Sequence, residues 1–184
     1  METLYWLVID VAGSLALLGC GVLGVWTWRR AGARFDGSLY WVLAGAGLIY
    51  LAVDERLSLH ERLGRRLDRA GFDAPGTNHA DDAVLLAFAL AGLCVSLAFV
   101  RELMRHRAVL APLLVGGMVT ALALAIDALA PVEGWAPVIE EHLELAGCAL
   151  FLLAFVRRYR VAARTAGQGS GRAVAAAPAP ISTL

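Results

Sequence analysis

The chain has 184 residues, 59% of them hydrophobic, with a mean hydropathy of +0.67. Only 17% are charged, sixteen basic residues (all Arg) balance sixteen acids, and the formal net charge is zero. That balance excludes a bulk field for nucleic acid, and short charge blocks between long apolar runs predict an all-α, polytopic membrane helix bundle.

Leu4 to Trp28 reads as the first span, interrupted only by Asp10 and closed by Arg29, Arg30 and Arg34. A cleavable signal peptide is not expected, because Glu2 stands where a basic residue should and the apolar run is too long. Leu39 to Val53 opens the second span with fifteen uncharged residues. A spanning helix needs about 20 residues, so this helix is expected to continue into Asp54 and Glu55. Leu59, Leu63 and Leu67 repeat every fourth residue, which predicts one helix running on to about Arg69 as an outer amphipathic extension over residues 54–70. Gly71 to His79 reads as a loop.

Ala83 to Val100 is the third span, with Asp81 and Asp82 before it and Arg101, Arg105 and Arg107 after it. Ala108 to Ala130 is the fourth and contains Asp127. A tight connection at residues 131–137 leads to the fifth, Val138 to Val156, which carries Glu140, Glu141, His142 and Glu144 near its start. Residues 1–164 are thus one bundle of about five transmembrane helices. From Thr165 to Leu184 the chain is Gly, Ser, Ala and Pro, and a disordered cytoplasmic tail is expected.

Arg distribution sets the orientation, with eleven Arg on one side of the five spans and five on the other. The N-terminus is expected outside and the C-terminus in the cytoplasm of a bacterial inner membrane. The ends that carry Asp54, Glu55, Ser58, His60, Glu61, His79, Asp81, Asp82, Asp127, Glu140, Glu141, His142 and Glu144 then share the outer side, and Asp10 lies in the outer half. Helix dipoles explain part of this pattern. Asp81 and Asp82 open a helix, where acids are favourable. Asp54, Glu55, Glu61 and Asp127 lie at C-terminal ends, where a negative charge is unfavourable by up to about 1 kcal/mol.

Helical phase puts Asp54, Ser58 and Glu61 on one face of a continuous helix, with Gly47 and Tyr50 near it. Asp10 stands above Gly13, Ser14, Gly21 and Gly24, Asp127 above Thr120 and Gly116, and Glu144 above Gly147 and Cys148. Small residues mark helix–helix contact in membranes, so the acids are expected to face the bundle interior. His60 falls off the Asp54–Glu61 face and joins a site only if the helix breaks near Ser58. His106, among cytoplasmic Arg residues, reads as an interfacial side chain.

Inward carboxylates need a cation, protons or Arg partners. The leading reading is a metal-capable pocket at the outer face, with Asp54, His60, Glu61, Asp127, Glu140, Glu141, His142 and Glu144 as candidate ligands and Asp10, Glu55, Ser58, His79, Asp81 and Asp82 as further polar candidates. Iron, manganese, zinc or copper would suit such a set, for a redox or metal-handling role. The Glu-x-x-His pairs of soluble di-iron bundles are absent. Two alternatives stay open: a scaffold or partner subunit (or homo-oligomer) whose acids pair with Arg, and a proton- or cation-coupled transport component. No nucleophile elbow, phosphate loop or H-E-x-x-H names an enzyme.

The segments L-A-V-D-E-R-L-S-L-H-E-R-L-G (51–64) and V-I-E-E-H-L-E-L-A-G (138–147) resemble paired motifs of small multi-pass bacterial membrane proteins with D-E-x-x-x-x-H-E and E-E-x-x-E segments. The resemblance brings no activity with it. It implies that Asp54, Glu55, His60, Glu61, Glu140, Glu141 and Glu144 belong to one shared feature.

Overall fold

The structure, a computed structural model, describes residues 2–32, 37–72, 80–129 and 135–175. Among them are seven helices and no strand: α1 (Glu2–Arg30), α2 (Leu39–Leu57), α3 (Leu59–Arg69), α4 (Ala80–Ala98), α5 (Val100–Arg105), α6 (Arg107–Leu129) and α7 (Ala136–Ala175). His79 and Glu133 lie outside the described residues, as does the side chain of Asp82.

Chain chemistry sets the helix ends. α1 stops after Arg29 and Arg30, whose charges complement the C-terminal dipole, and Gly32 then takes a left-handed φ of 90°. α3 ends in a Schellman turn: Gly71 has φ 78°, its N–H bonds the Asp68 carbonyl, and the Phe72 N–H bonds the Leu67 carbonyl, each at 3.0 Å. The expectation of one continuous helix through Asp54 to Arg69 fails at Ser58. There φ is 47° and ψ 49°, the only positive φ outside glycine among the described residues. The Leu59–Leu63–Leu67 spacing was real helical periodicity, but it belongs to a second helix with its own start.

The other long apolar stretches also break. The third span parts into α4 and α5 at Phe99, and His106 separates α5 from α6. At the far end, α7 runs ten residues past Thr165 into the stretch whose composition reads as tail. Extending a formed helix by one residue costs far less than nucleating one, which carries α7 on although Gly167, Gly169 and Gly171 are poor helix formers.

The helices form a row in which α6 packs on α7, α7 on α1, α1 on α2, and α2 on α4, with α3 folded against α4. Glycines set the close crossings. A Cβ on Gly45 of α2 would lie 3.1 Å from the Cα of Gly21 of α1, and a Cβ on Gly116 of α6 would lie 3.1 Å from Leu150 of α7. Gly147 faces Thr120 across the same α6–α7 crossing, and Gly13 faces Cys148 across α1–α7. Gly47 is different: nothing lies within 4 Å of a Cβ placed there.

The tightest approach to backbone is at Gly24, where an added Cβ would collide with the main-chain oxygen of Trp41. Backbone cannot swing away as a side chain can, so Gly24→Ala should cost about 1–3 kcal/mol through forced separation of α1 and α2. Gly47→Ala should be neutral or stabilising by up to about 1 kcal/mol. Denaturant titration of the two variants in micelles checks the contrast.

One end of the row closes. Cys20, Tyr40, Trp41, Leu103, Val109, Ala154 and Phe155 form a buried core there, with Trp41 edge-on to both Phe155 and Tyr40. Arg29, Arg30, Arg105, Arg157 and Arg158 surround this end, which we call the Arg end. The opposite, acid end is open. Two helical segments, Leu4–Arg30 and Arg107–Asp127, are long and apolar enough to cross a membrane, and Ala83–Ala98 is a shorter apolar helix.

Candidate functional site at the acid end

The break at Ser58 builds the first part of the site. Asp54 is 2% exposed and turns both carboxylate oxygens toward the start of α3. Oδ1 accepts the backbone N–H of His60 at 2.8 Å, and Oδ2 accepts the ring Nδ1–H of His60 at 2.7 Å. A free N–H in the first turn of α3 is thereby satisfied by a side chain from the preceding helix. His60, which the continuous helix would turn away from Asp54, becomes its partner. With Nδ1 donating to a carboxylate, Nε2 is the nitrogen left to meet other groups, the arrangement used by metal-bound histidines.

Glu61 leaves the set. It accepts from Arg65 at 2.9 Å along α3, and this pair is about half exposed. Arg65, with the Ser58 hydroxyl behind it, holds the Glu61 carboxyl below the usual carboxylate range. The expectation that Asp54 and Glu61 share a face is therefore corrected: the elbow turns them apart. Ser58 and Glu61 are the S-x-x-E pair that marks a helix start, a signal present in the sequence at residues 58–61.

His142 also leaves. Its Nδ1–H donates to the Val138 carbonyl at 2.6 Å, so in the neutral ring Nε2 is an acceptor, and the Tyr5 hydroxyl donates to it at 2.7 Å. Both ring nitrogens are occupied within the chain. Asp81 lies where α3 meets the start of α4: a Cβ on Gly64 would be 2.6 Å from the Asp81 nitrogen. It serves that junction, away from the acids of α7.

The remaining acids converge. Glu55 of α2 lies within charge range of Asp10 of α1, and Glu141 of α7 feels both. Glu140 and Glu144 extend the group toward Glu55 and to Asp127 of α6. Four helices thus bring Asp10, Glu55, Asp127, Glu140, Glu141 and Glu144 to one place. Their expected inward orientation is corrected in part: Asp10, Glu140 and Glu141 are half-buried, whereas Glu55, Asp127 and Glu144 are exposed. α2 and α7 each pack chiefly on α1, and their direct contact through Trp41 and Phe155 is in the core at the Arg end. Among the described residues, no group of three or more His, Cys, Asp or Glu side chains is arranged to ligate a metal ion directly.

The Arg end holds a second polar cluster that the sequence reading passed over. Glu102 of α5, 8% exposed, accepts from Arg158 of α7 at 3.2 Å and meets His106 at 3.3 Å and Arg105 at 3.6 Å. A Cβ on Gly37 would lie 2.6 Å from the same carboxylate. The Glu102–Arg105–His106 spacing, three and four residues along a helix, was the available signal. Burial, with Arg158 adding repulsion, holds the His106 imidazole below its ordinary 6.5 despite Glu102. The unfolded chain therefore binds the proton more readily, and this contribution to stability is complete above pH 6.5 and is lost as pH falls through the depressed folded value. Stability in micelles should fall on acidification below pH 6.5, and His106→Gln should flatten that part of the profile.

Residues 3–159 match the family model described as a domain of unknown function, DUF8692. No curated protein and no solved structure matches the chain. The match covers every helix from α1 through the core-forming part of α7, and with it both polar clusters; the chain belongs to the DUF8692 family.

Proposed function

We propose that the chain is a five-span protein of the bacterial inner membrane, N-terminus outside and C-terminus in the cytoplasm, whose outer face binds a hydrated divalent cation. One observation carries the cation: Glu55, Glu140, Glu141 and Glu144 lie in one another's field, Asp10 lies in that of Glu55 and Glu141, and none of these five acids from three helices makes an ion pair among the described residues. Like charges so gathered need a counter-charge. Their spacing does not favour a bare ion with a closed ligand shell. It suits magnesium, manganese or calcium held partly through water, since these take oxygen donors. With His142 bonded to Tyr5 and Val138, nitrogen ligands for zinc or copper are few.

Several features support the membrane reading. The two long apolar helices are only 33% and 22% buried, unlike the core helix of a soluble protein, and large apolar side chains cover the surface of α1, α4 and α6. α2 and α7 have the length to span, although their acids and Arg residues interrupt the apolar run.

Calorimetric titration of the detergent-purified protein with Mg²⁺, Mn²⁺ and Ca²⁺ tests the site. Saturable binding that weakens about tenfold or more in Glu55→Gln/Glu144→Gln is expected; absence of binding, or binding that ignores both changes, would overturn it. A reporter fused after Arg160 should act in the cytoplasm, and periplasmic activity alone would refute the orientation.

A further inference from the structure

Arg56 is the residue that the cation site leaves out. It stands at the acid end of α2, exposed, with no carboxylate at ion-pair distance among the described residues. Its Nε–H donates instead to the buried Ser14 hydroxyl of α1 at 3.2 Å, which leaves the two terminal nitrogens of an exposed guanidinium with no hydrogen bond among the described residues. From this point a groove of about 390 Å³ runs along the α1–α2 seam, walled by Leu15 and Leu18 on one side and Val53 and Leu57 on the other. These four side chains are 39–63% exposed, so the groove is open along its length.

We infer that this seam binds one phospholipid, its phosphate on Arg56 and one acyl chain along the groove. The inference rests on the membrane reading above. Charge selects the occupant: an exposed planar guanidinium whose two terminal nitrogens are unbonded among the described residues can meet phosphate oxygens bidentately, and it stands where the apolar run of α2 ends, at headgroup depth. A soluble anion would use Arg56 and leave the apolar walls wet. A second protein helix would cover the walls and bury a guanidinium that has no carboxylate at ion-pair distance among the described residues, with Glu55 only in its wider field. A phospholipid satisfies both halves.

Native mass spectrometry of the detergent-purified chain decides it, with phosphatidylglycerol compared against diacylglycerol of the same chains. Wild type should retain phosphatidylglycerol about tenfold better, the difference expected of a charge-assisted bond. Arg56→Gln should abolish the preference, and Val53→Trp, which fills the groove from its exposed wall, should lower retention of both lipids. Equal retention of the two lipids by wild type, or an undiminished preference in Arg56→Gln, would overturn the proposal; the wild-type comparison decides even if a variant unfolds. Recovery of the chain in the soluble fraction without detergent is a separate outcome that sinks the membrane reading itself.

Discussion

Arg158→Met is expected to lower the unfolding free energy by about 3–5 kcal/mol, the largest effect of any single polar replacement in the chain. The reason is what it leaves behind. Glu102 is buried between α5 and α7, and Arg158 is its buried cationic partner; Arg105 is longer-range and largely exposed, and His106 is held toward its neutral form. Removing Arg158 strands a carboxylate in a place that water reaches poorly. The guanidinium also lies 5.7 Å above the Trp41 ring, so its loss opens the core as well. Replacing both charges, as Glu102→Leu/Arg158→Met, should return most of the loss, because a buried pair gains little net stability over apolar groups of similar volume. Denaturant titration in micelles measures all three proteins. A single-variant cost below about 1 kcal/mol would mean that water reaches Glu102 freely.

This cluster also shows what the chain discloses by its pattern and what it does not. Helical content was legible because long apolar runs closed by Arg and Gly leave few other solutions; Gly21, Gly24, Gly116 and Gly147 marked faces that do meet a neighbouring helix, whereas on α2 the contact falls on Gly45 and not on Gly47, which meets nothing. The gathering of Asp10, Glu55 and the α7 acids followed from alternation of the helices. Side-chain partnership was less legible, because it depends on breaks of a single residue. Helical phase alone turned His60 away from Asp54, and one left-handed residue at Ser58 reversed that. Periodicity averages over a turn or more and is blind to such a step. The S-x-x-E pair at Ser58 and Glu61 was the local mark of it. Glu102 was hidden differently: it sits among Arg residues that read as a solvated boundary, and only the return of α7 shows that one of them, Arg158, is buried.

The second large effect belongs to the elbow. Asp54→Ala should cost about 2–4 kcal/mol, since it removes two hydrogen bonds to a carboxylate and leaves the His60 N–H without its acceptor at a part-buried position. His60→Ala should cost less, because the backbone bond to Oδ1 survives. The double variant should show a coupling of about 1–2 kcal/mol between the two side chains, within the range found for residues in contact. Asp54→Asn should fall between: its oxygen can still accept the backbone N–H, but its amide cannot accept from Nδ1. Limited trypsin digestion gives an independent reading, because α3 carries Arg62, Arg65, Arg66 and Arg69 and should be cut faster once its start is released. A loss of stability below about 0.5 kcal/mol together with unchanged digestion would show that packing of Gly64 on Asp81 holds α3 without the elbow. Glu55 is the next residue after Asp54, and its place beside Asp10 depends on where α2 ends. Asp54→Ala should therefore weaken cation binding although Asp54 itself is committed to His60, and His60→Ala should weaken it less, in the order of their effects on the elbow.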